Sequence, residues 1–365
     1  MNTVRFAGDA LAKKSIEILL EHQSPYGSYI ASPHFEQYQF AWFRDGAFCA
    51  LAAFKSGEKQ GAAKFNSWAA KTVIRHESLF AHALESLNKG EQISHVDAPP
   101  TRFNLDGSVE TDHHTVWPNY QIDGYGSWLA IVSLTEAEPT TELLKAVRIV
   151  ADFLVQAWKA PCYDCWEEGG EKIHGSTLLA VAGGLKAAFS LTKEYSYDIA
   201  SKEIIREIET NFISNGHFIK NTNSSQVDAS LAWAAIPHGA YEIDDPILLN
   251  TVNEIISTLR SPGGGIKRYT GDTYYGGGDW ILLEALIAWN RAANGDRDFW
   301  NQSVEWIRSK ADESGMLSEQ ILDNVQDPAM IKPWNELWGP TAHPLLWSHA
   351  MYLLLLNEGE IQGWL

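Results

Sequence analysis

The sequence predicts an all-α fold of about twelve helices, set as six hairpins in a ring, an (α/α)6 barrel, and three observations carry that expectation. Nearly every periodic segment repeats at helical spacing, with only short extended pieces such as His217 to Lys220. Neither a heptad nor a solenoid repeat is visible, so the helices must bury one another in a closed arrangement. Alternate segments also differ in polarity. Ala47 to Phe54, Trp128 to Leu134, Thr177 to Phe189, Trp280 to Trp289 and Leu345 to Leu355 carry few charges, as inner helices wrapped by more polar outer ones would.

Taken in order, Asp9 to Gln23 opens the series with an N-cap aspartate and apolar residues at three- and four-residue spacing. Asp45 to Ser56 follows, then Gln60 to Leu87 as one broken helix. Lys89 to Tyr120 is rich in Pro, Asp, His and Asn, has no period, and reads as a long loop. Helical periodicity resumes at Gly124 to Leu134, Thr141 to Lys159, Gly175 to Lys193, Tyr197 to Ile213 and Asp228 to Ala235. It continues at Pro246 to Leu259, Asp279 to Ala293, Asp298 to Ala311 and Leu345 to Leu356, with a second long loop from Gly315 to Pro344.

With 365 residues, 45% hydrophobic and 20% charged, the chain is long enough for a large core, and no composition shift divides it, so residues 1–365 read as one domain. The formal charge of -18 is spread along the sequence, which argues against nucleic acid or an anionic membrane as partner and for a neutral substrate. The first residues form an amphipathic pattern rather than a signal peptide, no run of eighteen apolar residues occurs, and the three cysteines cannot all pair. A cytoplasmic protein is expected. Nothing in the pattern sets an oligomeric state.

The densest chemistry lies at Cys162-Tyr163-Asp164-Cys165-Trp166-Glu167-Glu168-Gly169-Gly170. Carboxylates this close repel, so one should keep its proton to unusually high pH, as a general acid working near neutrality must. Glu167 is the candidate. A solvated acidic helix start is the competing reading, but Trp166 suits the wall of a sugar site better than a solvated cap. Cys162 and Cys165 lack a second ligand pair and read as small residues beside a pocket, and His113-His114 is discounted as a metal pair. No metal or cofactor is required. His349, in an apolar helix, reads as a satisfied core histidine.

Further polar and aromatic clusters, Arg44-Asp45, Gln121 with Asp123, Asp228, Asp279-Trp280 and Trp347-Ser348-His349, fall at one end of the expected inner helices. Among them, Tyr38-Gln39-Phe40-Ala41-Trp42-Phe43-Arg44-Asp45 resembles the Tyr-x-x-x-Trp-x-Arg-Asp segment of the glucoamylase family of glycoside hydrolases. Trp117 followed by Gln121-Ile122-Asp123-Gly124 resembles that family's tryptophan and Gln-x-Asp-Gly, and Asp164 to Glu168 its general-acid segment. Arg268-Tyr269 running into Asp272-Thr273-Tyr274-Tyr275 resembles its sugar-clamping arginine. Leu317-Ser318-Glu319-Gln320 followed by Trp347-Ser348 resembles its base segment. The resemblance spans residues from about 38 to 350, in order.

The resemblance implies an exo-acting, inverting α-glucoside hydrolase with Glu167 as acid and Glu319 as base. Inversion needs a protonated carboxyl on the leaving oxygen and an ionised carboxylate that activates water across the ring. Glu319 has no acidic neighbour nearer than Glu313, so an ordinary carboxylate pKa is expected there. Tyr38 resembles the family tyrosine that helps to hold the water. Arg44 and Asp45 supply a donor fork and an acceptor pair for the hydroxyls of a terminal glucose, Arg268 resembles a second clamp, and Glu168 is expected to reach the neighbouring sugar. Trp42, Trp117 and Trp166 would offer apolar faces to its C–H surfaces. No starch-binding module or N-terminal β-domain is recognisable, so a small oligosaccharide substrate, with isomaltose-type α-1,6 linkage foremost, is expected over raw starch. Two other classes compete: a sugar epimerase on the same barrel, which would use histidines as acid and base, and a non-catalytic carbohydrate-binding protein.

Overall fold

The computed structural model describes residues 6, 8–91, 93, 97–110 and 117–365, so His113 and His114 lie outside the described residues. Along the chain the α-helices are α1 (Ala10–Glu21), α2 (Phe43–Lys55), α3 (Lys59–Arg75), α4 (Glu77–Asn88), α5 (Ile122–Thr135), α6 (Thr141–Ala157) and α7 (Gly175–Thr192). They continue as α8 (Tyr195–Asn211), α9 (Pro246–Leu259), α10 (Ile281–Ala293), α11 (Arg297–Lys310), α12 (Ile331–Trp338) and α13 (Leu346–Ile361). A 3-10 helix, Ala229–Ala234, takes the fourth of the six inner positions.

The inner ring closes in the order α2, α5, α7, the 3-10 helix, α10, α13 and back to α2, each packing on the next. Outside it, α1 lies on α13, α3 on α2, α6 and α8 on α7, α9 on the 3-10 helix and α11 on α10. The polarity contrast explains the layering: α5 and α7 are buried around most of their circumference, whereas α6, α9 and α11 bury one stripe each. This is the (α/α)6 barrel that the periodicity predicts.

The differences are local. Gln60 to Leu87 is indeed broken, into α3 and α4, at His76, whose ψ of 20° leaves the helical region. Asp228 to Ala235 forms only six residues of 3-10 helix: Asp228 caps it by accepting from the Ser230 N–H, and Pro237 cannot continue it. α13 runs to Ile361, beyond the expected Leu356, and Glu358 in that extension accepts from the Trp289 indole at 3.2 Å. The loop Gly315 to Pro344 contains α12, which sequence reading missed: Pro333 argues against a helix interior, yet here it sits in the first turn, where its missing N–H is harmless.

Among the described residues six two-residue strands form three antiparallel pairs: β1 (Ala41–Trp42) with β2 (Arg102–Phe103), β3 (Ile213–Ser214) with β4 (His217–Phe218), and β5 (Asp279–Trp280) with β6 (Gln320–Ile321). The first pair sets Trp42 opposite Arg102, and the third sets Trp280 opposite Gln320, next to Glu319. The two long connections are thereby tied to the N-terminal ends of α2 and α10. All six inner helices present their N-termini at that same end. Among the described residues no helix is long and apolar enough to cross a membrane.

α5 and α7 meet backbone to backbone. A Cβ on Gly184 would lie 2.5 Å from the Gly126 carbonyl oxygen, and one on Gly126 would lie 2.5 Å from the Ala180 carbonyl oxygen. Alanine favours a helix over glycine by about 1 kcal/mol, but here it has no room, and forcing such helices apart costs about 1–3 kcal/mol or more. Gly184→Ala is therefore expected to lower stability in urea unfolding; a gain would show that the two helices separate freely.

Candidate active site

A cavity of about 360 Å³ opens where the inner helix N-termini converge. Its walls include Tyr38, Trp42, Arg44, Asp45, Trp117, Trp166, Glu167, Glu168, Arg268 and Glu319, all ten of the residues singled out from sequence. The positive ends of the helix dipoles face the same space, which favours acidic groups there.

A turn built by Asp164 holds the acidic segment. Its Oδ1 accepts from the N–H groups of Trp166 and Glu168, both at 3.0 Å, and its main-chain oxygen accepts from Glu167 at 2.9 Å. Glu167 is forced into the left-handed region at φ 69°, an uncommon conformation for a side-chain-bearing residue. The turn throws its carboxyl inward, where Oε1 accepts from the Trp42 indole at 3.0 Å, the Trp117 indole at 3.1 Å and the Gln121 amide at 3.1 Å.

Burial raises the Glu167 pKa, against the opposing pull of Arg44 and these three donors. The cause differs from the carboxylate crowding inferred from sequence. Asp164 is compensated by Lys220 at 3.3 Å, and Glu168 by Arg268 at 3.1 Å and by the Tyr269 hydroxyl. Desolvation, rather than repulsion, dominates at Glu167.

Glu319 departs further from expectation. It is 1% exposed, and burial pushes its pKa up to about 7, although Tyr38 and Arg268 act to lower it. An isolated position in sequence is thus no guide to its titration: the burying groups come from distant segments. The Tyr38 hydroxyl donates to Glu319 Oε1 at 3.0 Å and lies 3.1 Å from the Tyr274 hydroxyl. Tyr38 has one proton, so when it serves Glu319, Tyr274 must donate to Tyr38. Glu319 Oε2 has no hydrogen-bond partner among the described residues.

Arg44 is buried with Nη1 on Gln121 Oε1 and Asp123 Oδ2, both at 3.0 Å, and Asp45 stands 3.6 Å from its Nε. Among the described residues Arg44 Nε and Asp45 Oδ2 are buried without a hydrogen bond, and burial lifts the Asp45 pKa to about 6. Arg268, expected as a second clamp, also forms a loop ion pair, for it binds Asp272 through Nε at 2.7 Å while Nη2 reaches Glu168. Trp166 is held by its indole on both oxygens of Asp228 at 3.0 Å. Cys165 lines the cavity as a free, buried thiol beside Trp166. His349 is the satisfied core residue expected: Nε2 accepts from the Leu317 N–H at 3.0 Å and Nδ1 faces Ser15 Oγ at 2.9 Å.

Tyr274, Trp280 and Trp347, named from sequence only as members of motifs or helix-end clusters, also line the cavity, as do Trp334 and Trp338, which sequence reading did not single out. Trp334 and Trp338 stand four apart on α12, so their spacing was the available signal, masked by Pro333.

A carboxyl whose folded pKa is raised destabilises the fold once it must ionise. For Glu319 that cost is absent below the unfolded value near pH 4.5, grows as pH rises, and is complete above about pH 7. Glu319→Gln is accordingly expected to be more stable than the parent by about 1–3 kcal/mol at pH 8 and equal to it at pH 4. Urea unfolding at both pH values tests this, and an equal difference at the two would contradict it.

Residues 6–357 match the sequence profile of Glycosyl hydrolases family 15. The chain is 35% identical over 358 residues to isomaltose glucohydrolase of Kribbella flavida, spanning 95% of this chain and 92% of that protein. It superposes with a TM-score of 0.90 on a 35% identical glycosidase variant solved in complex with glucose, over 97% of this chain and 96% of that one. A bacterial glucoamylase complexed with acarbose, 20% identical, superposes with a TM-score of 0.73 over 97% of this chain and 56% of that one, a likeness of fold. With a barrel, a two-glutamate cavity and a family match across nearly its whole length, the chain belongs to glycosyl hydrolase family 15.

Proposed function

We propose that this glycoside hydrolase is exo-acting and inverting, and releases β-glucose from the non-reducing end of short α-glucosides, isomaltose-type α-1,6 linkages foremost. The observation that carries the reading is the contrast between two carboxyl groups in one cavity. Glu167 has all three of its protein donors on Oε1, which leaves Oε2 as the oxygen to bear and deliver a proton. Glu319 has its hydroxyl donor on Oε1 and an unpartnered Oε2, the arrangement of a base that takes a proton from water.

In this reading Glu167 protonates the glycosidic oxygen as the bond to the anomeric carbon breaks. Water, held by Glu319 Oε2 with Tyr38 beside it, attacks from the opposite face and gives its proton to Glu319. Arg44 Nε and Asp45 Oδ2, which face each other at 3.6 Å and make no hydrogen bond among the described residues, are suited to sugar hydroxyls, and indole faces flank them. Arg268 and Glu168 would bind the leaving sugar. Among the described residues that line the cavity there is no histidine, which disfavours the epimerase reading. The isomaltose glucohydrolase of Kribbella flavida, 35% identical to this chain, favours isomaltose as substrate, and short imported glucosides fit the cytoplasmic location that we propose with it.

Proton NMR in the first minutes of hydrolysis should show β-glucose before mutarotation, and α-glucose appearing first would overturn inversion. Across a panel of α-linked disaccharides, isomaltose should be cleaved fastest. Glu167→Gln and Glu319→Gln should each fold and lose on the order of a hundredfold or more in kcat.

The pH profile should be a bell. Activity rises with pH as Glu319 ionises, through a limb drawn toward neutrality by its pKa of about 7, and falls as Glu167 loses its proton. An acid limb in the ordinary carboxylate range near pH 4 would show that Glu319 does not titrate as the buried group described.

A further inference from the structure

We infer that Arg102 is a positioning residue for the proposed acid: clamped between aromatic rings outside the cavity, it fixes the two indole N–H donors on Glu167 Oε1 and sets the strength of their hydrogen bonds. Arg102 is 1% exposed, with its guanidinium 4.1 Å from the ring centres of both Phe40 and Trp117 and 5.4 Å from that of Trp42. The β1–β2 ladder makes Arg102 the direct cross-strand neighbour of Trp42. Its N–H groups are used elsewhere: Nε donates to Glu110 Oε2 at 3.1 Å, Nη2 donates to the same oxygen, and Nη1 reaches the Gln37 carbonyl at 3.5 Å. The residue touches neither carboxyl of the proposed pair, yet it contacts both tryptophans that do hydrogen-bond to Glu167.

Packing alone does not explain a cation at this position. A buried ion pair is commonly no more stable than apolar residues of the same volume, and a methionine would fill the same gap between rings. A guanidinium on an indole face does something that an apolar chain does not: it draws on the π-electrons, so the ring N–H becomes a stronger donor. Both indole bonds favour ionised Glu167 and so oppose the effect of burial. The charged and titratable groups facing Glu167 are Arg44 and Asp45 from α2, Tyr38 from the turn before β1, and Arg102 from β2. Arg44 is balanced inside the site by Asp123 and Asp45, whereas Arg102 is balanced by Glu110, away from the cavity lining.

The inference rests on Glu167 being the acid, and the test separates the two claims. The pH dependence of kcat/KM on isomaltose is measured for the parent, Arg102→Met and Glu110→Gln. Arg102→Met keeps the bulk and removes the charge, so the alkaline limb should move up by about half a pH unit or more, and kcat should fall about tenfold. Glu110→Gln leaves Arg102 in place with its charge unbalanced, so the same limb should move down. General loosening of the site cannot displace one limb in opposite directions. Limbs that stay put in both variants, or move the same way, overturn the inference. Should Arg102→Met fail to fold, Arg102→Lys, which keeps the charge and loses the planar stack, replaces it: reduced kcat with a limb moved upward is expected, and an unchanged profile overturns the inference. A parent enzyme without an alkaline limb would overturn the assignment of Glu167 itself.

Discussion

Two carboxyl groups share one cavity that excludes water from much of their surface, and the surrounding structure is arranged around that desolvation. Among the described residues neither Glu167 nor Glu319 makes a direct ion pair; each is instead met by neutral donors, indoles and an amide on one, a tyrosine hydroxyl on the other. A direct lysine or arginine partner would hold a carboxylate well below the neutral range, which is what happens at Asp228 beside Lys220. Neutral donors stabilise the charge by less and leave the proton affinity high. Direct ion pairs stand one layer back, at Lys220 with Asp164 and at Arg268 with Asp272, where they set backbone and ring positions.

That layer depends on the barrel for its accuracy. Trp42, Gln121, Asp228, Trp280 and Leu345 each sit at the N-cap of an inner helix, so the closure of the ring fixes their separations. Closure in turn needs close approach: at the α5–α7 crossing the backbones touch because Gly126 and Gly184 carry no side chain. The long loops are then anchored by two-residue ladders at the mouth, which is why connections with little regular structure still hold ring positions against the helix ends.

How much could be read from sequence follows the range of the forces involved. The helices were legible because their periodicity is local, and the acid segment because its polar residues are adjacent in the chain. Even there the reason was wrong: adjacency suggested repulsion, whereas Lys220 and Arg268, brought in from distant segments, neutralise Asp164 and Glu168 and leave burial to act on Glu167. Glu319 shows the limit more clearly. Its hydroxyl donor lies 281 residues away, and no local pattern can report that a loop carboxyl ends 1% exposed. α12 was hidden by a proline that is harmless in a first turn, and with it the Trp334 and Trp338 wall. Arg102 had no sequence signal at all, because its neighbours Phe40 and Trp117 belong to different segments.

The division of labour between the two proposed catalytic groups is therefore better argued from hydrogen-bond inventory than from proton affinity. Both carboxyls are raised by burial, and if affinity alone decided, Glu319 at about 7 would serve equally well as an acid. Geometry breaks the symmetry. Three N–H donors on Glu167 Oε1 saturate the oxygen that a neutral carboxyl would use as its carbonyl, and a proton is thereby directed to Oε2. Glu319 Oε1 takes a single hydroxyl donor, and Tyr38 is tied in turn to Tyr274, so the chain of hydroxyls ends on Glu319 and supplies it with donated protons. A group fed by donors and left with one unpartnered oxygen is set up to accept. The asymmetry lies in which atoms are already occupied, and it persists while the pKa values of the pair shift together with pH and substrate.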